Sequence, residues 1–127
     1  MYLHHVGYVV RDIEAYARSL PGLEQVRVVD DPLQHARLAL YGIGGSSSPY
    51  VELIQPLIPE AFTWQHLERA GEGLHHICYG GLDEAGVLAL IRERRMLKVR
   101  GPIPAVLFGR DVIFAVTQKK AIVEFVL

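Results

Sequence analysis

The chain has 127 residues, half of them hydrophobic, with thirteen Lys and Arg against fourteen Asp and Glu. A net charge of −1 excludes the broad basic surface that nucleic acid or an anionic membrane demands and leaves a small or neutral partner as the expectation. This length supports one compact domain over 1–127 without staples, and the single Cys78 can build neither an internal disulfide nor a multi-cysteine zinc site. No basic segment precedes an apolar run at the start, and no stretch nears the roughly 18 apolar residues of a membrane span. A cytoplasmic protein that binds neither nucleic acid nor membrane is expected.

In chain order, Leu3 to Val10 is apolar and β-rich, and Asp12 is placed to cap a short helix from Ile13 to Leu20 that Pro21-Gly22 ends. Strands are predicted over Glu24 to Val29, His35 to Tyr41 and Tyr50 to Gln55. The stretch Gly44-Gly45-Ser46-Ser47-Ser48-Pro49 lies between two strands and lacks a following Lys-Ser/Thr, so it reads as a hairpin loop and not a phosphate cradle. Pro59 to Ala70 suits a connecting helix closed by Gly71 and Gly73, on which Phe62 and Trp64 pack or border a pocket. The remainder gives a strand over Leu74 to Tyr79, a helix over Glu84 to Arg95 opened by Asp83, a weak strand around Met96 to Val99, and strands over Asp111 to Val116 and Ala121 to Leu127.

The chain repeats itself. Leu3-His4-His5-Val6-Gly7-Tyr8 lines up with Leu74-His75-His76-Ile77-Cys78-Tyr79, and Tyr50-Val51-Glu52-Leu53 with Ile122-Val123-Glu124-Phe125. From His5 to Glu52 is 47 residues and from His76 to Glu124 is 48, a matched spacing inside matched apolar strands. Two tandem β-α-β-β-β modules follow, module one over 1–58 and module two over 73–127, joined by the helix at 59–72. The expected class is α+β, an eight-stranded mixed sheet curled around a central cleft.

Strand alternation decides which side chains converge, because residues two apart share a face. Only one histidine of each adjacent pair is then expected to face a given cleft. Glu52 and Glu124 are embedded in nearly continuous apolar strands, where an unpaired carboxylate is costly and a divalent cation would be a partner. Were the modules related by a pseudo-twofold axis, His5 with Glu52 would meet His76 with Glu124 around one point. Two imidazoles and two carboxylates suit one divalent ion, with Zn, Ni, Co, Mn and Fe all compatible. The plainer reading of any one of these histidines is a hydrogen-bonded core residue.

A duplicated β-α-β-β-β module with one His and one Glu in each half resembles the vicinal oxygen chelate superfamily, which includes glyoxalase I and methylmalonyl-CoA epimerase. The epimerase branch is matched in Leu3-His4-His5-Val6-Gly7, Val51-Glu52-Leu53-Ile54-Gln55-Pro56-Leu57 and Gly71-Glu72-Gly73-Leu74-His75-His76-Ile77-Cys78. The resemblance implies that His5, Glu52, His76 and Glu124 are metal ligands, with Glu124, or in the alternative Glu52, the candidate proton acceptor beside a metal-chelated carbonyl. It implies a homodimer too. Where the family supplies a second proton carrier, this chain reads His35-Ala36-Arg37-Leu38-Ala39. Arg37 is a poor base: it either binds a substrate carboxylate or phosphate or is simply an exposed strand arginine, and His35, on the same face by alternation, is the candidate second base if the alignment is one strand period out. The segment before Asp111 departs from the branch as well, and Ile103, Val106, Leu107 and Phe108 are candidates for an apolar rim, Phe108 as a substrate contact. With Arg37 and Arg110, that rim favours an amphipathic anion such as an acyl thioester or another carboxylated compound.

Four functions are compatible: a metal-dependent isomerase or epimerase, a glyoxalase I-like lyase, an oxygen-activating enzyme, and a metal-free protein that binds or sequesters a small molecule. The oxygen-activating members of the superfamily typically use two histidines and one carboxylate, so a second glutamate ligand counts against that reading.

Overall fold

The structure is a computed structural model and describes residues 1–44 and 49–127. The hairpin expected over Gly44 to Pro49 falls mostly on 45–48, outside the described residues. Module one runs β1 (Tyr2–Val9), α1 (Ile13–Ser19), β2 (Leu23–Asp31), β3 (Ala36–Ile43) and β4 (Tyr50–Pro56). Helix α2 (Phe62–Ala70) connects it to β5 (Gly73–Gly80), α3 (Glu84–Glu93), β6 (Leu97–Ala105), β7 (Arg110–Val116) and β8 (Ile122–Val126). The eight strands form one mixed sheet in the order β2-β3-β4-β1-β5-β8-β7-β6, an α+β fold whose two halves mirror each other. In each half the first strand pairs parallel with the last, β1 with β4 and β5 with β8, and the halves meet where β1 runs antiparallel to β5.

Alternation sorts the sheet into two faces. Val51 and Leu53 of β4, with Ala39 and Tyr41 of β3, pack beneath α1 through Ile13, and Val123 and Phe125 of β8 pack beneath α3 through Val87 and Ile91. The helices therefore cover the outer face, and each is opened by an aspartate whose carboxylate accepts from the first turn, Asp12 from the Ala15 N–H and Asp83 from the Gly86 N–H. The residues between, Leu38, Leu40, Glu52, Ile54 and Glu124, point into the curl.

The turn between β6 and β7 crosses to the other module, so that Leu107 joins Val9, Leu38, Leu40 and Ile54, and the Arg27 guanidinium of β2 donates to its carbonyl at 3.2 Å. Strand β6 is longer than the Met96 to Val99 segment expected. Pro102 and Pro104 interrupt its pattern, and they are tolerated because β6 is an edge strand. No helix among the described residues is long and apolar enough to cross a membrane.

Candidate metal centre

The floor of the curl is built by register. Gly7 of β1 pairs with Glu52 on one side and His76 on the other, and Cys78 of β5 pairs with His5 and Glu124. Two small residues thus sit between the four large polar ones, the arrangement the internal repeat implies. His5 Nε2 lies 3.2 Å from Glu52 Oε2 and 3.1 Å from Glu124 Oε2, and His76 Nε2 lies 3.3 and 2.9 Å from the same two atoms. The two Nε2 atoms are 3.0 Å apart.

All four residues are buried, and Glu52 Oε2 and Glu124 Oε2 stand at ion-pair distance from the imidazoles but without hydrogen-bond geometry to any partner. Burial works against every charge in this cluster, yet the contacts overcome it. The Glu124 and Glu52 carboxylates raise His5 and His76 to about 9, and the two imidazoles lower Glu52 to about 2 and Glu124 in the same direction. Four ligand atoms lie within 4.8 Å of one another, two imidazole nitrogens and two otherwise unpartnered carboxylate oxygens. That donor set fits a divalent cation, whose charge would balance the carboxylates. Cys78 fills the floor as a buried thiol, its pKa raised by burial first and then by Glu124 and Glu52, and so has no reactive thiolate.

One expectation from alternation fails. Strict alternation puts His4 and His75 on the face opposite His5 and His76, but each is the extra residue of an irregularity in the β1–β5 pairing, between Leu3 and His5 and between His76 and Leu74. Such bulges re-aim side chains. His4 Nδ1 consequently lies 2.8 Å from His5 Nδ1, and His75 Nδ1 lies 3.0 Å from His76 Nδ1, so each inner imidazole is oriented by an outer one. His75 lines the same cavity as His76.

Above the quartet is a cavity of about 360 Å³, walled by Leu38, Ile54, Ala105, Leu107, Phe108 and Phe114 near the floor and by Leu33, Val99 and Arg100 at the mouth. Phe108 does border it, stacked on the His5 ring at 5.0 Å. His35 borders it from the β2–β3 turn, where the buried Asp31 carboxylate accepts from the Leu33 and Gln34 N–H groups and His35 takes φ 50°.

That turn corrects the expected link between His35 and Arg37. His35 precedes β3, so strand alternation does not link the two residues. Arg37 is exposed, bonded to Asp30 at 2.9 Å, and is not among the residues lining the cavity. Leu38 faces the cavity instead. Thr63, Gln34, Arg100 and Phe114 also line it. No local motif marks these four: Gln34 comes from a turn, Thr63 from α2, and Arg100 and Phe114 from the paired strands β6 and β7.

The comparisons agree with this architecture. The family model of the glyoxalase/bleomycin resistance protein/dioxygenase superfamily matches residues 4–114, and the chain belongs to that superfamily. A hypothetical protein from Bacillus halodurans C-125 is 25% identical with a TM-score of 0.85, over 98% of this chain and 92% of that one. A variant of Streptomyces coelicolor methylmalonyl-CoA epimerase in complex with 2-nitronate-propionyl-CoA is 25% identical with a TM-score of 0.83, again over 98% and 92%. Methylmalonyl-CoA epimerase from Mycobacterium tuberculosis, at 20% identity, has the same fold, with a TM-score of 0.83 over 98% and 85%. No curated protein sequence gives a significant match.

Proposed function

We propose that the protein is a divalent-metal-dependent enzyme of isomerase or epimerase type that moves a proton next to a chelated carbonyl of a small, largely apolar substrate. The observation that carries this reading is the quartet of His5, Glu52, His76 and Glu124, with two buried carboxylate oxygens that stand at ion-pair distance from the imidazoles but accept no hydrogen bond. When bound, the ion supplies Lewis acidity that polarises a substrate carbonyl and acidifies the adjacent C–H. His5 and His76 would hold it through their imidazoles and Glu52 through its carboxylate. Glu124 serves as ligand and as the base that takes the proton and returns it. Leu38, Ile54, Leu107 and Phe108 keep the substrate's reacting end dry.

A second reading, a glyoxalase I-like lyase, is favoured by one observation. Apart from Glu52 and Glu124, the only carboxylate among the described cavity-lining residues is Glu60, which is exposed. Epimerisation with carriers on both substrate faces therefore depends on His35, whereas removal and return of a proton on one face needs Glu124 alone. Acyl thioesters are the first substrates to assay, because the Streptomyces relative is bound to one.

The test is metal analysis of the untagged protein beside a folded His5→Ala/His76→Ala double variant, followed by deuterium incorporation from D2O into acyl thioesters and thiol hemithioacetals. About one equivalent of ion in the parent and little in the variant is expected. A parent that stays empty after incubation with Zn, Ni, Co, Mn and Fe in turn overturns the reading in favour of a metal-free binding protein.

A further inference from the structure

Strand β6 carries one residue too many for its pairing with β7. Leu97 pairs with Val116 and Lys98 with Ala115, but the partner of Phe114 is Arg100, so Val99 is the extra residue of a bulge. Val116 lines the cavity, whereas Ala115 packs with Val87 and Ile91 beneath α3. Strict alternation from Leu97 would therefore turn Arg100 outward with Lys98, and the bulge re-aims it to the concave face. Phe114 is in turn the partner of Glu124 on β8. Arg100, Phe114 and Glu124 thus form one row across three strands, and all three line the cavity.

The charge at the outer end of that row is unanswered. Arg100 is the only lysine or arginine among the described residues lining the cavity, and its guanidinium makes no ion pair or side-chain hydrogen bond with any described residue. Lys98, by contrast, is spent on the Gly101 carbonyl at 2.9 Å. The carboxylates of the wall do not reach Arg100: Glu52 and Glu124 contact His5 and His76 at the floor, and the exposed Glu60 makes no ion pair with it. Neighbouring strands lie about 4.8 Å apart, so two spacings put the backbone of Arg100 roughly 10 Å from that of Glu124. Phe114 fills the interval, with Leu107 and Phe108 on the same apolar wall. The cavity therefore has a polar group at each end and hydrocarbon between.

We infer that Arg100 is a specificity residue at the mouth, where its guanidinium binds an anionic group, carboxylate or phosphate, at the far end of an elongated substrate whose near end reaches the quartet. The planar guanidinium matches either group through paired N–H donors. An apolar chain between the two ends packs on Phe114, Leu107 and Phe108. This gives β6 the anion contact that the sequence suggested for Arg37, whose own guanidinium is bonded to Asp30. Arg100 is exposed, so water and salt weaken its attraction, and the expected effect is a preference among ligands. The inference deepens the proposed function by naming the far end of its substrate, and it rests on that reading for the near end only. Arg100 keeps its charge with and without a metal, so it can be tested apart from that function.

The probes are octanoate and octyl phosphate, with octan-1-ol as the uncharged control, titrated by calorimetry into protein freed of metal by dialysis and followed by ¹⁵N NMR of the Arg100 side-chain Nε–H. We expect the anions to bind roughly fivefold tighter than octan-1-ol and to shift the Arg100 signal, which octan-1-ol leaves in place. Arg100→Met should remove that preference while leaving octan-1-ol affinity and metal stoichiometry unchanged, and Arg100→Lys should keep part of it. The anion that loses more in Arg100→Met names the group. Raising the salt from about 20 to about 500 mM should erase the preference. An Arg100→Met variant that keeps the parent's preference, a parent that binds octan-1-ol as tightly as both anions, or an Arg100 signal that neither anion moves would each overturn the assignment. If Arg100→Met does not fold, the Arg100 signal of the parent decides. A parent that takes up no metal overturns the proposed function and leaves these metal-free titrations to judge Arg100, whereas a parent that takes up metal but shows no preference for the anions overturns this inference alone.

Discussion

His5 and His76 meet Nε2 to Nε2 at 3.0 Å across the pairing of β1 with β5, and the residue that makes room for them is Gly7. A Cβ built there would fall inside the His76 imidazole. Gly7→Ala is therefore expected to turn His76 away from the centre, cutting metal affinity about 100-fold, as loss of ligand orientation does at the upper end. Stability should fall by about 1–3 kcal/mol, the usual cost of overpacking. Metal titration and thermal unfolding check both; unchanged metal affinity would mean that His76 is not a ligand.

The stability of the metal-free protein should depend on pH in a defined direction. His5 and His76 are raised from 6.5 to about 9, so the stabilisation they give is complete below pH 6.5 and is lost as pH rises through about 9. Glu52 is lowered from 4.5 to about 2, and Glu124 is lowered too, so their share is complete above pH 4.5 and is lost as pH falls through about 2. Chemical denaturation of the metal-free form should show greatest stability between these limits and a decline toward pH 9. A bound ion replaces the imidazole protons, so the loaded form should lack the alkaline decline, and metal uptake at neutral pH should release at least one proton. Identical profiles with and without metal would contradict this.

His35 separates the two enzymatic readings. If both faces of the substrate are served, His35→Gln should keep deuterium exchange at the reacting carbon and abolish inversion, while Glu124→Gln abolishes both. If one face is served, His35→Gln should leave turnover within about twofold. Metal content measured on each variant separates lost chemistry from a lost ligand, and chiral analysis of the labelled product reads the outcome.

Arg37→Ala should leave KM for an anionic substrate and the thermal midpoint unchanged. Its guanidinium is exposed and spent on Asp30. A rise in KM of tenfold or more would return Arg37 to the binding surface.

Much of this was legible because the chain states its plan twice. The matched intervals between His5 and Glu52 and between His76 and Glu124 pick out the quartet that the sheet brings together, since parallel pairing of the first and last strands of each module carries equal spacing into equal position. His4 and His75 were misplaced because a bulge shifts parity by one residue and leaves no mark in the hydrophobic pattern. The shared face expected for His35 and Arg37 fails for a related reason: the Asp31-centred turn ends before Arg37, and a left-handed residue such as His35 does not obey strand alternation. Thr63 carried no signal, because its place on the wall is set by how α2 crosses the sheet.

The mirrored strand order has one more consequence. Each module contributes one imidazole and one carboxylate, and the two contributions meet across the line where β1 runs beside β5. That line offers the same edges to the complementary half of another copy. Two chains that opened at α2 and exchanged halves would rebuild two complete centres without a single new kind of contact, so lengthening or stiffening the α2 connection should switch this fold between intramolecular and swapped assembly while leaving the centre itself unaltered.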